Sequence, residues 1–378
     1  MNDFLQPGMT PEQLEIQLVA CVVSAACALP GVFLILRKMA MMSDAISHAI
    51  LPGIVIAFFL VGELHSPWLI AGAAVAGLAT VVLVESISAT RLVKEDAAIG
   101  LVFPVLFSIG VLLIARFAGD IHLDTDAVLT GELAFVPFDR LVIGGVDVGP
   151  KALATMAVIG LVNLAFIVFF YKELKLATFD AGLAASLGFM PGVMHYVLMI
   201  LVSTTAVGAF DAVGSILVVA LMIAPPACAY LLTDRLAAML GISVGIGVFA
   251  AIAGYWMANL LDASIAGCMA SAVGVLFLAT VVAAPGRGLV AARRRRTRQR
   301  WSFAERMLAI HLRQHEGLPE EARENRRAHL QEHLRWSAAF ASAVVRRAGE
   351  DGFVIEQAGL LHLTPAGRAL ASEAIVDA

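Results

Sequence analysis

The sequence predicts an all-α protein that crosses a membrane eight or nine times and ends in a small α+β domain. Three observations predict it. Of 378 residues, 60% are hydrophobic and only 15% charged, whereas soluble domains run near half apolar and a quarter charged. The apolar residues gather in runs of about 20, the length at which a helix spans a hydrocarbon core of ~30 Å. The charge is also divided: residues 1–286 carry 10 Lys+Arg against 19 Asp+Glu, and residues 287–378 carry 16 Arg against 11 Asp+Glu. The expected organisation is a transmembrane domain at 1–286, a basic juxtamembrane linker at 287–301 and a soluble domain at 302–378. This argues against an ordinary soluble enzyme.

The candidate spans are 16–36, 45–64, 67–90, 97–117, 152–171, 193–210, 212–233, 242–261 and 264–284. Polar or Gly/Pro-rich stretches separate them, as expected where chain leaves the bilayer. The pair flanking Asp211 leaves eight or nine open. Lys and Arg near span ends mark the cytoplasmic side. Arg37 and Lys38 follow the first span, Arg91 and Lys94 the third, Lys172 and Lys175 the fifth, and Arg235 the seventh. Arg293–Arg296, Arg298 and Arg300 open the tail. Placing all of these in the cytoplasm puts the N-terminus outside and the C-terminal domain inside, which an odd count, nine, satisfies. The outer side then receives 118–150, with Asp120, His122, Asp124, Asp126 and Glu132 as either a cation-attracting entrance or a solvated loop.

Asp3, Glu12 and Glu15 in an N-terminus without a basic stretch favour a retained first helix over a cleaved signal peptide. Cys21, Cys27, Cys228 and Cys268 sit in apolar runs without a CxxC and read as small buried hydrophobes.

An ionisable side chain inside a membrane is costly and marks a candidate site. The strongest case is Ser43-Asp44-Ala45-Ile46-Ser47-His48, where Asp44 and His48 lie four apart and share a helix face. Carboxylate plus imidazole suits a borderline divalent ion such as Mn²⁺, Fe²⁺ or Zn²⁺, and does not suit copper(I) or calcium. A second reading stands beside it: Ser43 or Asp44 caps the second helix and His48 is a hydrogen-bonded core residue. Pro52-Gly53 just beyond predicts a kinked or interrupted helix, the kind of place where transporters bind their substrates. Glu85 and His195 read as interfacial, Asp211 as a turn or helix break, and Asp262 as a cap. None of the five lysines follows a glycine, so no P-loop is present, and neither Gly-x-Ser-x-Gly nor His-Glu-x-x-His occurs.

Four stretches resemble one family. They are Leu36-Arg37-Lys38-Met39 leading into Ser43 through Pro52-Gly53; Lys94-Glu95-Asp96-Ala97-Ala98-Ile99-Gly100; Lys172-Glu173-Leu174-Lys175 through Phe179-Asp180 to Ala184-Ala185-Ser186-Leu187-Gly188; and Val213-Gly214-Ser215-Ile216-Leu217 through Leu221 to Pro225-Pro226-Ala227. Over residues 30–285 the chain is similar to the permease subunits of bacterial manganese/zinc/iron ABC importers, the ABC-3 family. Pro225-Pro226 departs from a position where one proline is commoner. The resemblance implies that Asp44 and His48 contribute to the metal path. It also implies that a loop containing Lys172, Glu173, Lys175, Phe179, Asp180, Ala184 and Gly188 docks on an ATP-binding subunit. The implied partners are that ATPase, an extracytoplasmic metal-binding protein, and a second permease, identical or paralogous. No cofactor is implied as permanently bound; the metal ion is cargo. ATP hydrolysis belongs to another subunit, and this chain is not an enzyme.

In the tail, helical patterns cover 303–315, 321–334 and 337–349. Gly352–Ile355 and Leu360–Leu363 read as a hairpin, and Thr364-Pro365 opens a last helix. This order resembles a winged helix, most like those of iron- and manganese-dependent repressors. The candidate recognition helix offers only Arg346 and Arg347, beside Glu350 and Asp351, so DNA is not an expected partner. The arginines at 293–300 suit anionic membrane lipid instead. His311/His315 and His329/His333 are each four apart, and facing pairs would make a cytoplasmic metal sensor or landing site. Surface histidines on amphipathic helices are the other reading.

The function expected is thus passage of Mn²⁺, Zn²⁺ or Fe²⁺ through an ATP-driven importer past Asp44 and His48. The alternatives are a permease for chelated metal or cobalamin and a membrane-tethered transcriptional regulator.

Overall fold

A computed structural model describes residues 10–62, 67–117, 133–143 and 146–376. Asp120, His122, Asp124, Asp126 and Glu132 lie outside the described residues. The chain forms two compact units, Met1–Gly288 and Leu289–Ala378.

In the first unit, α1 (Pro11–Leu36) begins five residues earlier than the apolar run, because Thr10 and Gln13 close a capping box over its first turn. It is the central helix. Val19, Val23, Cys27, Val32 and Phe33 are fully buried, and it packs on five other elements of this unit. The second span is two helices, α2 (Ala40–Ala49) and α3 (Leu51–Val61). Pro52 has no N–H to return to the His48 carbonyl, which accounts for the break. Next come α4 (Pro67–Ala89) and α5 (Glu95–Phe117). A 3₁₀ turn at Leu133–Phe138 then leads to a two-stranded hairpin of β1 (Arg140–Ile143) and β2 (Val146–Pro150).

The chain continues through α6 (Lys151–Phe169), α7 (Tyr171–Phe179) and α8 (Ala181–Ser186). The next element, α9, runs over 42 residues, Pro191–Leu232, with Gly214 at φ 74° and ψ 164° inside it. At 1.5 Å per residue that run would be about twice the hydrocarbon thickness, so it is two spans hinged where only glycine is comfortable. Helices α10 (Leu236–Leu261) and α11 (Ile265–Ala283) complete the unit, with Asp262 in the left-handed conformation closing α10. Among the described residues nine helical segments are long and apolar enough to span a membrane.

Small residues let these helices approach. A Cβ on Gly53 would sit 2.3 Å from the Gly72 carbonyl oxygen, and one on Gly72 would sit 2.6 Å from that of Gly53, so α3 and α4 touch backbone to backbone. Asn163, buried on α6, donates to the Ala26 carbonyl (3.2 Å) and to Thr205 Oγ1 (2.8 Å), joining α1, α6 and α9.

The second unit opens with α12 (Leu289–His315). This helix starts well before residue 303, so the arginines of 293–300, good helix formers, are helical. The expected single helix over 321–334 is two short ones, α13 (Glu321–Glu324) and α14 (Arg327–His333). The carbonyl of Asn325, between them, accepts from Leu361 N at 3.0 Å, outside the helical ladder. Then come α15 (Ala338–Glu350), the antiparallel pair β3 (Val354–Gln357) and β4 (Leu360–Leu363), and α16 (Pro365–Val376). Gln357 pairs with Leu360, so the turn is Ala358-Gly359 alone, with φ of 53° and 77°, a geometry of type I′. Leu308, Leu312, Leu330, Val344, Leu361 and Ala371 form the core.

Candidate functional site

Asp44 and His48 stand on α2, inside the helix. Its N-cap is Met39, and Ser43 Oγ contacts Met222 Sδ at 3.0 Å. The capping reading of Ser43 and Asp44 is therefore not what the structure has. Met42, Ser43, Ile46 and Ser47 turn α2 into the core. The opposite stripe holds His48 and Asp44, whose side chains are 32% and 38% exposed, with His48 Nε2 3.5 Å from Asp44 Oδ1. The His48 ring lies 5.9 Å from Phe103 and 6.5 Å from Phe107, centroid to centroid, both on α5.

Two donors held ~2.1 Å from one tetrahedral ion stand about 3.4 Å apart, so the pair has the bite of a single ion. Among the described residues no third His, Cys, Asp or Glu joins it within ligand reach. Water or a passing ligand is left to fill the other positions.

A second polar cluster escaped the sequence. Arg37, just past α1, places Nη1 3.0 Å from His195 Nδ1 and donates through Nε to Thr178 Oγ1 at 3.3 Å. The guanidinium can only donate, so His195 Nδ1 accepts and its Nε2–H donates to the Glu85 carboxylate. Four elements, α1, α4, α7 and α9, are tied at one point. The usable signal was position: a residue ending the first span, one late in the third and one opening the sixth all fall at the same predicted side.

Directly beyond lies the loop of α7 and α8. Leu174 is fully buried and anchors α7, while Lys172 and Lys175 face solvent and Glu173 is half-buried. Asp180 caps α8 by accepting from Leu183 N at 2.8 Å. Ala184 is buried, and Gly188 ends the turn at φ 85°. Phe179, Leu183, Leu187 and Met190 stand exposed together along this loop. A cavity of about 590 Å³ is lined by Ile16, Leu133, Phe135, Tyr255, Asn259 and Asp262, among others, and by neither Asp44 nor His48.

In the second unit His311, His315, His329 and His333 come together, with Glu324, which the sequence did not single out. The ligand atoms of His311, His315 and Glu324 lie within 4.8 Å of one another, and so do those of Glu324, His329 and His333. Burial pushes the His311 imidazole below its usual range. On α15, Arg347 pairs with Glu305 at 2.8 Å and Arg346 with Glu350 at 3.9 Å.

Comparison with known proteins follows this geometry. Residues 13–284 match the model of the ABC 3 transport family. The chain is 45% identical over 358 residues to the zinc transport system membrane protein TroD of Treponema pallidum, covering 95% of this chain and 97% of that one. It is also 45% identical over 269 residues to the manganese transport system membrane protein MntD of Bacillus subtilis, covering 71% and 91%. Among solved structures it resembles PsaBC from Streptococcus pneumoniae in complex with Fab, at 29% identity and a TM-score of 0.60, over 72% of this chain and 92% of that one.

Proposed function

The chain belongs to the ABC 3 transport family as a membrane-spanning permease subunit of an ATP-driven importer of transition-metal ions, and we propose that the ion passes Asp44 and His48. ATP hydrolysis lies on a separate subunit, and the chain is not itself an enzyme. The observation that carries the path is the 3.5 Å separation of an imidazole nitrogen and a carboxylate oxygen on the one stripe of α2 left out of the core. Two donors hold an ion without completing its shell, and a site meant for passage must release. The cargo is a divalent ion for which N/O ligation suffices. The names of the two relatives point to Zn²⁺ and Mn²⁺, and Fe²⁺ stands on donor chemistry alone.

The charge bias at span ends supports an outside N-terminus and a cytoplasmic second unit. The exposed apolar row Phe179, Leu183, Leu187 and Met190, on α7, α8 and the turn after them, beside Lys172 and Lys175, supports docking of the ATP-binding subunit there. The Arg37–His195–Glu85 cluster then connects that dock to α1, α4 and α9. A second permease and an extracytoplasmic metal-binding protein complete the assembly. The order of three helical segments, hairpin and helix in 302–378 supports a winged-helix-like domain, and the acidic partners of Arg346 and Arg347 disfavour its use on DNA.

The test is accumulation of Mn, Zn and Fe, quantified together, in cells carrying the assembled transporter. With Asp44→Ala or His48→Ala, uptake of one metal should fall about tenfold or more, since even indirect support of a metal ligand is commonly worth that much. Unchanged uptake in both variants at matched expression would assign the path elsewhere and favour a chelated cargo.

A further inference from the structure

We infer that the second unit carries a metal site of its own, holding one Zn²⁺-class ion among His311, His315, Glu324, His329 and His333. The inference does not rest on Asp44 and His48, which belong to the other unit.

Three separate elements supply the donors. The last turns of α12 give His311 and His315, α13 ends on Glu324, and α14 gives His329 and His333; each histidine pair is spaced i,i+4 on one face. The ring centroids of His311 lie 4.9 Å from those of His315 and 5.2 Å from those of His333, and His329 and His333 are 5.6 Å apart. Glu324 Oε2 lies 2.6 Å from His329 Nε2 and 3.6 Å from His333 Nδ1. Four imidazoles packed around one carboxylate are a poor arrangement for ordinary core packing. Were the rings protonated they would repel one another; neutral, each offers one unprotonated ring nitrogen as a metal donor.

The surroundings are those of a built site. Glu324 and His311 are buried, at 8% and 4% exposure, and His315 Nδ1 is buried with no hydrogen-bond partner. His311 Nε2 lies 3.2 Å from the Glu324 backbone carbonyl. A carbonyl only accepts, so Nε2 carries the proton and Nδ1 keeps the lone pair. That is how a ligating histidine is oriented by its outer partner. The break between α13 and α14, fixed by the bond from Leu361 N to the Asn325 carbonyl, is what lets Glu324 and His329 face the same point. A nitrogen-rich set with one carboxylate selects Zn²⁺ over Mn²⁺ or Mg²⁺, which prefer oxygen.

The experiment uses the full-length chain in detergent, in an Asp44→Ala/His48→Ala background so that the membrane pair contributes nothing. The protein is stripped with chelator, loaded with ZnCl₂, desalted and assayed for zinc by mass spectrometry. One zinc per chain should remain, and His315→Gln/His333→Gln added to that background should lower it at least tenfold. Failure of the background chain to retain zinc, or equal retention after the glutamine substitutions, overturns the site. Should the glutamine variant fold differently by hydrogen exchange, the Co²⁺-loaded background chain decides. Pulsed EPR must then show more than one coordinated imidazole nitrogen, and one or none overturns the site. Unaltered metal uptake in Asp44 and His48 variants would unseat the transport path without touching this result.

Discussion

At the scale of single residues, what was legible in the sequence was what is local. Asp44 and His48 are four apart, and helix periodicity alone put them on one face. Arg37 and His195 are separated by 158 positions, and no period links them. Glu324 was passed over for the same reason: its partners come from helices on either side of two breaks. One residue is out of place by its own chemistry. Ala358 holds φ 53° in a two-residue turn, a conformation that costs a residue with a Cβ about 1 kcal/mol. Ala358→Asn should stabilise the second unit by up to that amount, read as slower hydrogen exchange across 354–363; faster exchange would count against the assigned turn. Glu316 is a second local case. Arg368 at 2.6 Å and Arg313 at 2.5 Å hold its carboxyl below the usual range. A group whose folded pKa is depressed contributes stability above its unfolded value and loses it as pH falls. The second unit should therefore weaken on acidification below the ordinary glutamate range, and Glu316→Gln should flatten that acid limb in a thermal melt.

At the scale of elements, the spans were legible because hydrophobicity and length alone define them, and their ends were less so. The start of α1 depends on a capping box and that of α10 on chain leaving Arg235, neither of which raises hydropathy. The contact between α3 and α4 depends on Gly53 and Gly72, whose roles only packing reveals. Gly72→Val should therefore cost roughly 1–3 kcal/mol or more and lower the yield of folded transporter. Gly241→Ala, with nothing within 4 Å of the added carbon, is the control that should leave yield unchanged. Equal yields would refute the close approach. Gly214→Ala forces a Cβ into a region nearly reserved for glycine, at a cost of about 1–3 kcal/mol. Its signature should be altered protease accessibility around residues 211–215.

At the scale of the whole molecule, charge divides between 1–286 and 287–378, and the chain forms two compact units, Met1–Gly288 and Leu289–Ala378. The MntD match, 269 residues making up 91% of that protein, leaves it little room for a second unit, whereas the TroD match is longer than the first unit of this chain. A chain ended after Gly288 should accordingly still insert and transport, with Asp44→Ala still disabling it. Loss of uptake on truncation at matched expression would make the second unit part of the conducting machinery. The histidine cluster was half legible at this scale: the i,i+4 pairs were visible, but that they face each other follows from how α12, α13 and α14 fold back.

The proline that separates α2 from α3 bears on speed as well as shape. An ion entering a protein from water must shed part of its hydration shell, and each departing water has to be replaced by an oxygen or nitrogen that is not already engaged. On the path proposed above, Pro52 cannot donate to the His48 carbonyl, which would let that oxygen stand in for a leaving water without the usual i to i+4 bond being broken first. The gain on that path would be in the dehydration barrier more than in the depth of the resting site. Restoring that donor with Pro52→Ala should slow turnover while leaving the concentration for half-maximal uptake nearly where it was.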